Sequence, residues 1–216
     1  SVYNGQSMST YTQEEGLPQE PITNIFKDSK GTIWSTSGAI NGNAGGLTYF
    51  NSNKNIVNMT KELELYDPTI STITEDNFGN IVFGGTGGLY ITDRNEKKHF
   101  TYKDQMGNGL ISDIYVEGNN FWIGTGSGLV HYNGKKFKNY NTRDGLASNT
   151  INNIEKSPNG EIWIATDNGI SIYNGVYFKN IYRNDGLNHP NINGFLFDNN
   201  GDVYVASNWG CLLYTS

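Results

Sequence analysis

The feature that constrains this chain most is a unit that returns every 40 to 42 residues. Thr125-Gly126-Ser127-Gly128-Leu129-Val130-His131-Tyr132-Asn133-Gly134 recurs as Thr166-Asp167-Asn168-Gly169-Ile170-Ser171-Ile172-Tyr173-Asn174-Gly175. Taking the second Gly of that element as a marker, copies fall at Gly46, Gly88, Gly128, Gly169 and Gly210. Upstream of the markers stand turns of one design, such as Asp28-Ser29-Lys30-Gly31-Thr32-Ile33-Trp34 and Ser157-Pro158-Asn159-Gly160-Glu161-Ile162-Trp163. A unit this short cannot bury its own apolar face, so neighbours must stack on it.

Each unit divides into four strand-like runs. Strand A carries Ile-x-x-Ile or Ile-x-x-Phe (Ile22/Ile25, Ile70/Ile73, Ile111/Ile114, Ile151/Ile154, Ile192/Phe195). Strand B is the apolar run after the Gly turn, strand C is Gly-Leu-x-x-Tyr, and strand D is typified by Phe137 and Tyr140. Asn133-Gly134 and Asn174-Gly175 between C and D are strong hairpin signals. The 27 Gly and 31 Asn of the 216 residues are therefore turn formers, shared out among equivalent turns.

These runs predict an all-β chain, a five-bladed β-propeller of four-stranded antiparallel blades. Expected blades cover roughly residues 18–59, 66–102, 108–141, 147–182 and 188–216, the last completed by 1–12, all in one domain. Val2-Tyr3-Asn4-Gly5 reads as the end of a C strand, and Met8-x-x-Tyr11 as a D strand. The expectation is that this N-terminal strand closes the last blade and the ring. The alternative is five units of a longer array.

A formal net charge of −6 gives no basic surface to follow phosphates, so neither nucleic acid nor an anionic membrane is an expected partner. No apolar stretch is long enough for a membrane span, and Ser1-Val2-Tyr3-Asn4-Gly5 does not read as a signal peptide. Cys211, the single cysteine, lies in the apolar run Cys211-Leu212-Leu213-Tyr214 and is expected to be a small buried hydrophobe.

The segment Asp144-Gly145-Leu146-Ala147-Ser148-Asn149-Thr150-Ile151, followed by Gly160-Glu161-Ile162-Trp163 and Asp167-Asn168-Gly169-Ile170, resembles the two-component regulator propeller repeat. That resemblance implies a periplasmic or extracellular sensor-type propeller of a bacterial hybrid system, in relatives often concerned with carbohydrate breakdown products.

Most repeated residues have structural readings. Trp34, Trp122 and Trp163 recur at one blade position and are expected in inter-blade packing. The Asp-x-x-Gly turns lack calcium-loop spacing and are expected to be hydrogen-bonded turns. His99 and His131 belong to outer strands, and no metal site is expected.

Function is sought where the repeat breaks. The B–C and D–A loops of a propeller share one face, the top. Here the first B–C connection is expanded over residues 35–45, and the last carries Asn208-Trp209. Trp209 fills a slot held elsewhere by Gly45, Gly87, Ser127 and Asn168, and an aromatic beside amides suits a sugar ring. The D–A loops add Arg143 and Arg183, read as equivalent, and His189. Asp113 and Asn153, with Asn24 and Thr72, are expected to line the axial opening.

The ligand-binding set is thus Trp209, Asn208, Arg143, Arg183, His189, Asp113 and Asn153, for a glycan or other small polar ligand bound by a monomer. A protein partner on the same face is the alternative. A polysaccharide lyase or hydrolase would need further convergent groups, and Asp113 is the one axial carboxylate. No catalytic residue or cofactor is assigned.

Overall fold

The structure is a computed structural model describing residues 1–3, 5–18, 21–38, 45–65, 69–107 and 109–214. Ile-rich runs separated by Gly turns form five antiparallel sheets. The first contains β3 (Ile22–Lys27), β4 (Ile33–Ser37), β5 (Gly46–Phe50) and β6 (Ile56–Asn58). The second contains β7 (Ile70–Glu75), β8 (Ile81–Gly85), β9 (Gly88–Thr92) and β10 (Lys97–Phe100). The third is β11 (Ile111–Glu117), β12 (Asn120–Thr125), β13 (Gly128–Tyr132) and β14 (Phe137–Tyr140). The fourth is β15 (Ile151–Lys156), β16 (Ile162–Thr166), β17 (Gly169–Tyr173) and β18 (Phe178–Ile181). The fifth has three strands, β19 (Ile192–Phe197), β20 (Val203–Ser207) and β21 (Gly210–Tyr214). Each sheet is a meander, and the chain has the expected five-bladed propeller architecture.

Blades join through their innermost strands, β3 to β7, β7 to β11, β11 to β15 and β15 to β19. Each junction is built alike. Ile111 and Ile114 of β11 enter a cluster with Val82 and Leu89 of the preceding blade. Ile151 and Ile154 do the same with Trp122 and Leu129, as do Ile192 and Phe195 with Ala165, Ile170 and Trp163. The repeated tryptophans therefore face the following blade, with Trp34 fully buried.

A second device was not legible in the sequence. Each inner strand shifts register after its first residue, a bulge that turns one polar side chain sideways. Thr23 Oγ1 donates to Ile70 O at 2.9 Å, Ser112 Oγ to Ile151 O at 2.6 Å, and Asn152 Nδ2 to Ile192 O at 2.7 Å. Ser71 makes the same bond to Ile111 O. The fifth copy, Asn193, instead donates to Asn208 Oδ1 of its own blade at 3.1 Å.

The N-terminal strand does not close the last blade. β1 (Val2–Tyr3) pairs with β2 (Met8–Ser9), and β21 is the edge of its three-stranded sheet. A hairpin closed over a few residues costs far less chain entropy than one closed across the whole chain. The four apolar clusters link blades one to two, two to three, three to four and four to five. The outward faces at both ends confirm an open arc. Ile25 is 69% exposed where Ile73, Ile114 and Ile154 are buried, and Leu196 is 67% exposed. For the same reason Cys211 is exposed, contrary to the sequence expectation. Its equivalents Leu47, Leu89, Leu129 and Ile170 are covered by a following blade, and Cys211 has none.

Four of the links that lead into an A strand share a tight cap. Thr12, Thr101, Asn141 and Tyr182 open these turns, and their amides donate to Glu15, Asp104, Asp144 and Asp185 respectively. The turns end in a left-handed residue, Gly16, Gly145 or Gly186, but Gln105 (φ 65°) holds that place in the third link. A side chain in this conformation costs about 1–2 kcal/mol. Gln105→Gly is expected to stabilise the fold by about 0.5–1 kcal/mol after the added freedom of the unfolded chain is subtracted, read by urea unfolding. A loss of stability would show that the Gln105 side chain outweighs its backbone strain.

Candidate functional site at the top of the fifth blade

The top face is set by hydrogen bonds between the two loop sets. Gly38 N donates to Pro21 O, Thr86 N to Thr69 O, Gly126 N to Leu110 O and Asp167 N to Thr150 O. Each ties a B–C turn to the end of the D–A link entering the same blade. Residues 39–44 of the expanded first loop lie outside the described residues.

The B–C turns of blades three, four and five are each held from below by one hydroxyl. Thr125 Oγ1 accepts from Ser127 N at 3.1 Å and Thr166 Oγ1 from Asn168 N at 3.1 Å. Ser207 Oγ accepts from Trp209 N at 3.2 Å in the same way. The backbone that carries Trp209 is thus the ordinary repeat turn, and only its side chain departs from the pattern. Trp209 is 65% exposed.

The preceding D–A link supplies the rest. Leu187, 3% exposed, anchors the link, and Asn188 Oδ1 meets Ser207 Oγ at 2.8 Å. His189 then lies with its ring centroid 4.9 Å from that of Trp209, tilted by 59°. Its Nδ1 accepts from Asn191 N at 3.0 Å, so a neutral imidazole carries its proton on Nε2. Arg183 completes the group, with Cζ 5.4 Å from the Trp209 ring centroid. This is a cation–π contact that also orients guanidinium donors beside the indole. Asn208 joins through its bond from Asn193.

Four of the expected residues, Trp209, Asn208, Arg183 and His189, therefore gather on one rim. The other three lie apart. Arg143 sits on the exposed turn Thr142–Asp144 of the previous link. It is the second residue of that turn, whereas Arg183 is the first of Arg183–Asp185, so the two are not equivalent. Asp113 and Asn153 belong to an axial ladder. Asp113 Oδ2 accepts from Asn153 Nδ2 and Ile154 N, both at 2.8 Å, and Asn153 Oδ1 accepts from Phe195 N at 3.2 Å. Burial pushes the Asp113 carboxyl up despite these bonds, and burial followed by the Asp113 charge raises Glu155. The ladder joins blades three, four and five, which gives Asp113 and Asn153 a structural use.

Residues 145–168 match the family model described as two component regulator propeller. The fold is similar to the extracellular domain of a putative hybrid two component system from B. thetaiotaomicron, with a TM-score of 0.79 and 22% identity over 96% of this chain. A second such extracellular domain from the same organism aligns with a TM-score of 0.72 and 20% identity over 91% of the chain. This chain spans 29% of the length of each. PorZ, a surface component of the type-IX secretion system of Porphyromonas gingivalis, aligns over 98% of this chain and 35% of its own, with a TM-score of 0.71 and 16% identity. A comparison with curated proteins finds no match. Among the described residues no helix is long and apolar enough to cross a membrane.

Proposed function

We propose that this chain is a non-catalytic binding or sensing module, working outside the cytoplasm, that takes a glycan or other small polar ligand on the rim of its fifth blade. The observation that carries the reading is Trp209, an aromatic 65% exposed on a turn where no other blade places a ring. An indole face offers stacking area for the apolar side of a pyranose. The Arg183 guanidinium and the His189 Nε2–H stand within reach of the same ring to meet hydroxyl or carboxylate oxygens. Acidic sugars fit that donor set better than neutral ones. Similarity to extracellular domains of two component systems supports a sensing role.

The test is a calorimetric titration of the chain with neutral and uronic-acid oligosaccharides. Trp209→Ala is expected to lower affinity by at least about tenfold while the melting temperature stays within about 1 °C, because an exposed side chain contributes little to packing. Absence of binding by the unmodified chain, or equal binding by the variant, would overturn the proposal.

A further inference from the structure

We infer that the groove between the first two blades, among the A–B and C–D turns opposite the top face, binds a small oxyanion-bearing molecule clamped by Arg94 and Lys30. Arg94 breaks the repeat. The C–D turns of blades three and four place Gly134 and Gly175 at φ 84° and 95°, and the same turn of blade two places Arg94 at φ 85°. The positions are equivalent, since Thr92 pairs with Lys97 as Tyr132 does with Phe137 and Tyr173 with Phe178. Glycine adopts this backbone without strain, and arginine does not. The turn itself does not call for an arginine, so the reason lies in its side chain.

Part of that reason is the junction between blades. Arg94 Nη2 donates to Asp28 Oδ2 at 2.9 Å and to Thr32 Oγ1 at 2.8 Å, and Cζ lies 5.2 Å from the ring centroids of both Trp34 and Tyr49. These bonds use one nitrogen of the three. Among the described residues Nε and Nη1 have no partner, and the side chain is 34% exposed. A guanidinium fixed through one nitrogen and open at the others is a preorganised clamp, because its planar fork matches two oxygens of a carboxylate, sulfate or phosphate.

Arg94 lines a groove of about 390 Å³, the size of a small-molecule site. Lys30, Thr32, Tyr49, Asn51 and Ser52 form most of the remaining wall. Its two charged side chains, Arg94 and Lys30, are both cations in a chain of formal net charge −6. Asp28 is not part of the wall: it is 5% exposed and committed to its own turn, Trp34 and Arg94. Among the described residues no carboxylate stands within ion-pair distance of Lys30. The neutral groups are donors as well. Thr32 Oγ1 already accepts from Arg94, which leaves its proton to give. Asn51 Oδ1 already accepts from Asn53 N and Asn55 N, which leaves its Nδ2 hydrogens. A wall of cations and spare donors suits an anion.

The Trp209 rim belongs to the fifth blade, so the two sites stand or fall separately. The test is an NMR amide-shift titration of the 216-residue chain carrying Trp209→Ala, which silences the rim. Phosphate, sulfate and glucuronate are compared with chloride at one ionic strength. At least one of the three is expected to give saturable shifts centred on residues 30–32, 49–52 and 94. Lys30→Gln in that background is expected to weaken binding about three- to fivefold. Arg94→Gly, which installs the residue of the equivalent turns, is expected to weaken it at least about tenfold. Should that variant loosen the junction, Arg94→Lys keeps the charge but removes the fork, and a loss of affinity is expected there too. Shifts that stay linear into tens of millimolar for all three anions would overturn the inference, and so would unchanged affinity in any of these variants.

Discussion

Asp28→Ala is expected to cost about 3–5 kcal/mol of stability, because it strips an acceptor from four donors at once. Asp28 is 5% exposed and ties down its own turn, accepting from Lys30 N at 3.0 Å and Thr32 N at 2.7 Å. Its other oxygen accepts from the fully buried Trp34 indole at 2.9 Å. That oxygen also takes the Arg94 guanidinium at 2.9 Å, and Arg94 spans from the second blade and lies 5.2 Å over the Trp34 ring. Asp198→Ala is the control. It removes the equivalent turn bonds to Asn200 N and Asp202 N, opposite an exposed Tyr204 rather than a buried indole, and should cost about 1–2 kcal/mol.

The pH dependence separates the two contributions further. Burial pushes the Asp28 carboxyl up, but the bonds from Trp34 and Thr32 and the Arg94 charge outweigh it, and the pKa lies below the ordinary 3.8. A depressed folded value means that the stabilisation is present above 3.8 and is lost as pH falls through the folded pKa. Urea midpoints measured down this range should fall more steeply for the unmodified protein than for Asp28→Ala. Parallel curves would show that the carboxylate charge is not what holds the junction.

Gly128→Ala is expected to cost about 4 kcal/mol or more, and Gly210→Ala only about 1–2 kcal/mol. Both are marker glycines at positive φ, 138° and 121°. A Cβ on Gly128 would lie 2.2 Å from the Tyr140 carbonyl oxygen of its D strand, a backbone atom that cannot step aside. Gly88 and Gly169 face Phe100 O and Ile181 O in the same way, at 2.3 and 2.5 Å. Beside Gly210 there is nothing within 4 Å, since its sheet stops at β21. Thermal melts of the two variants read the difference directly. Equal losses would mean that backbone strain alone makes glycine the marker.

The blade architecture was legible because its determinants are local. Turn glycines, Asn-Gly pairs and the Ile-x-x-Ile runs state where strands start, end and face. Trp209 was legible as a break in a regular slot. Arg143 and Arg183 look equivalent only when the arginines themselves are superposed, whereas the feature the two turns share is the glycine that ends each. Counted back from Gly145 and Gly186, Arg143 and Arg183 fall one residue apart. The bulge latches of Thr23, Ser71, Ser112 and Asn152 carry no shared residue type, only a shared position beside a register shift. Tryptophans that looked alike also differ. Trp34 has Asp28, whereas the Trp163 indole N–H is buried without a partner at a turn that begins with Ser157. Closure failed as an expectation for another reason. Whether the fifth blade meets the first depends on rotation accumulated over four junctions, and no single segment encodes a sum.

The four separate apolar clusters have a consequence for how the molecule comes apart. Among the described residues no apolar cluster joins the fifth blade to the first, so within this span a terminal blade loosens by breaking one interface, while the third blade must break two. Opening therefore runs inward from the ends like a zipper with two sliders, and the middle of the chain holds the slowest-exchanging amides. The rim at Trp209, where a ligand is proposed, belongs to the fifth blade, so local melting of that blade would dismantle it well before the rest of the fold is lost.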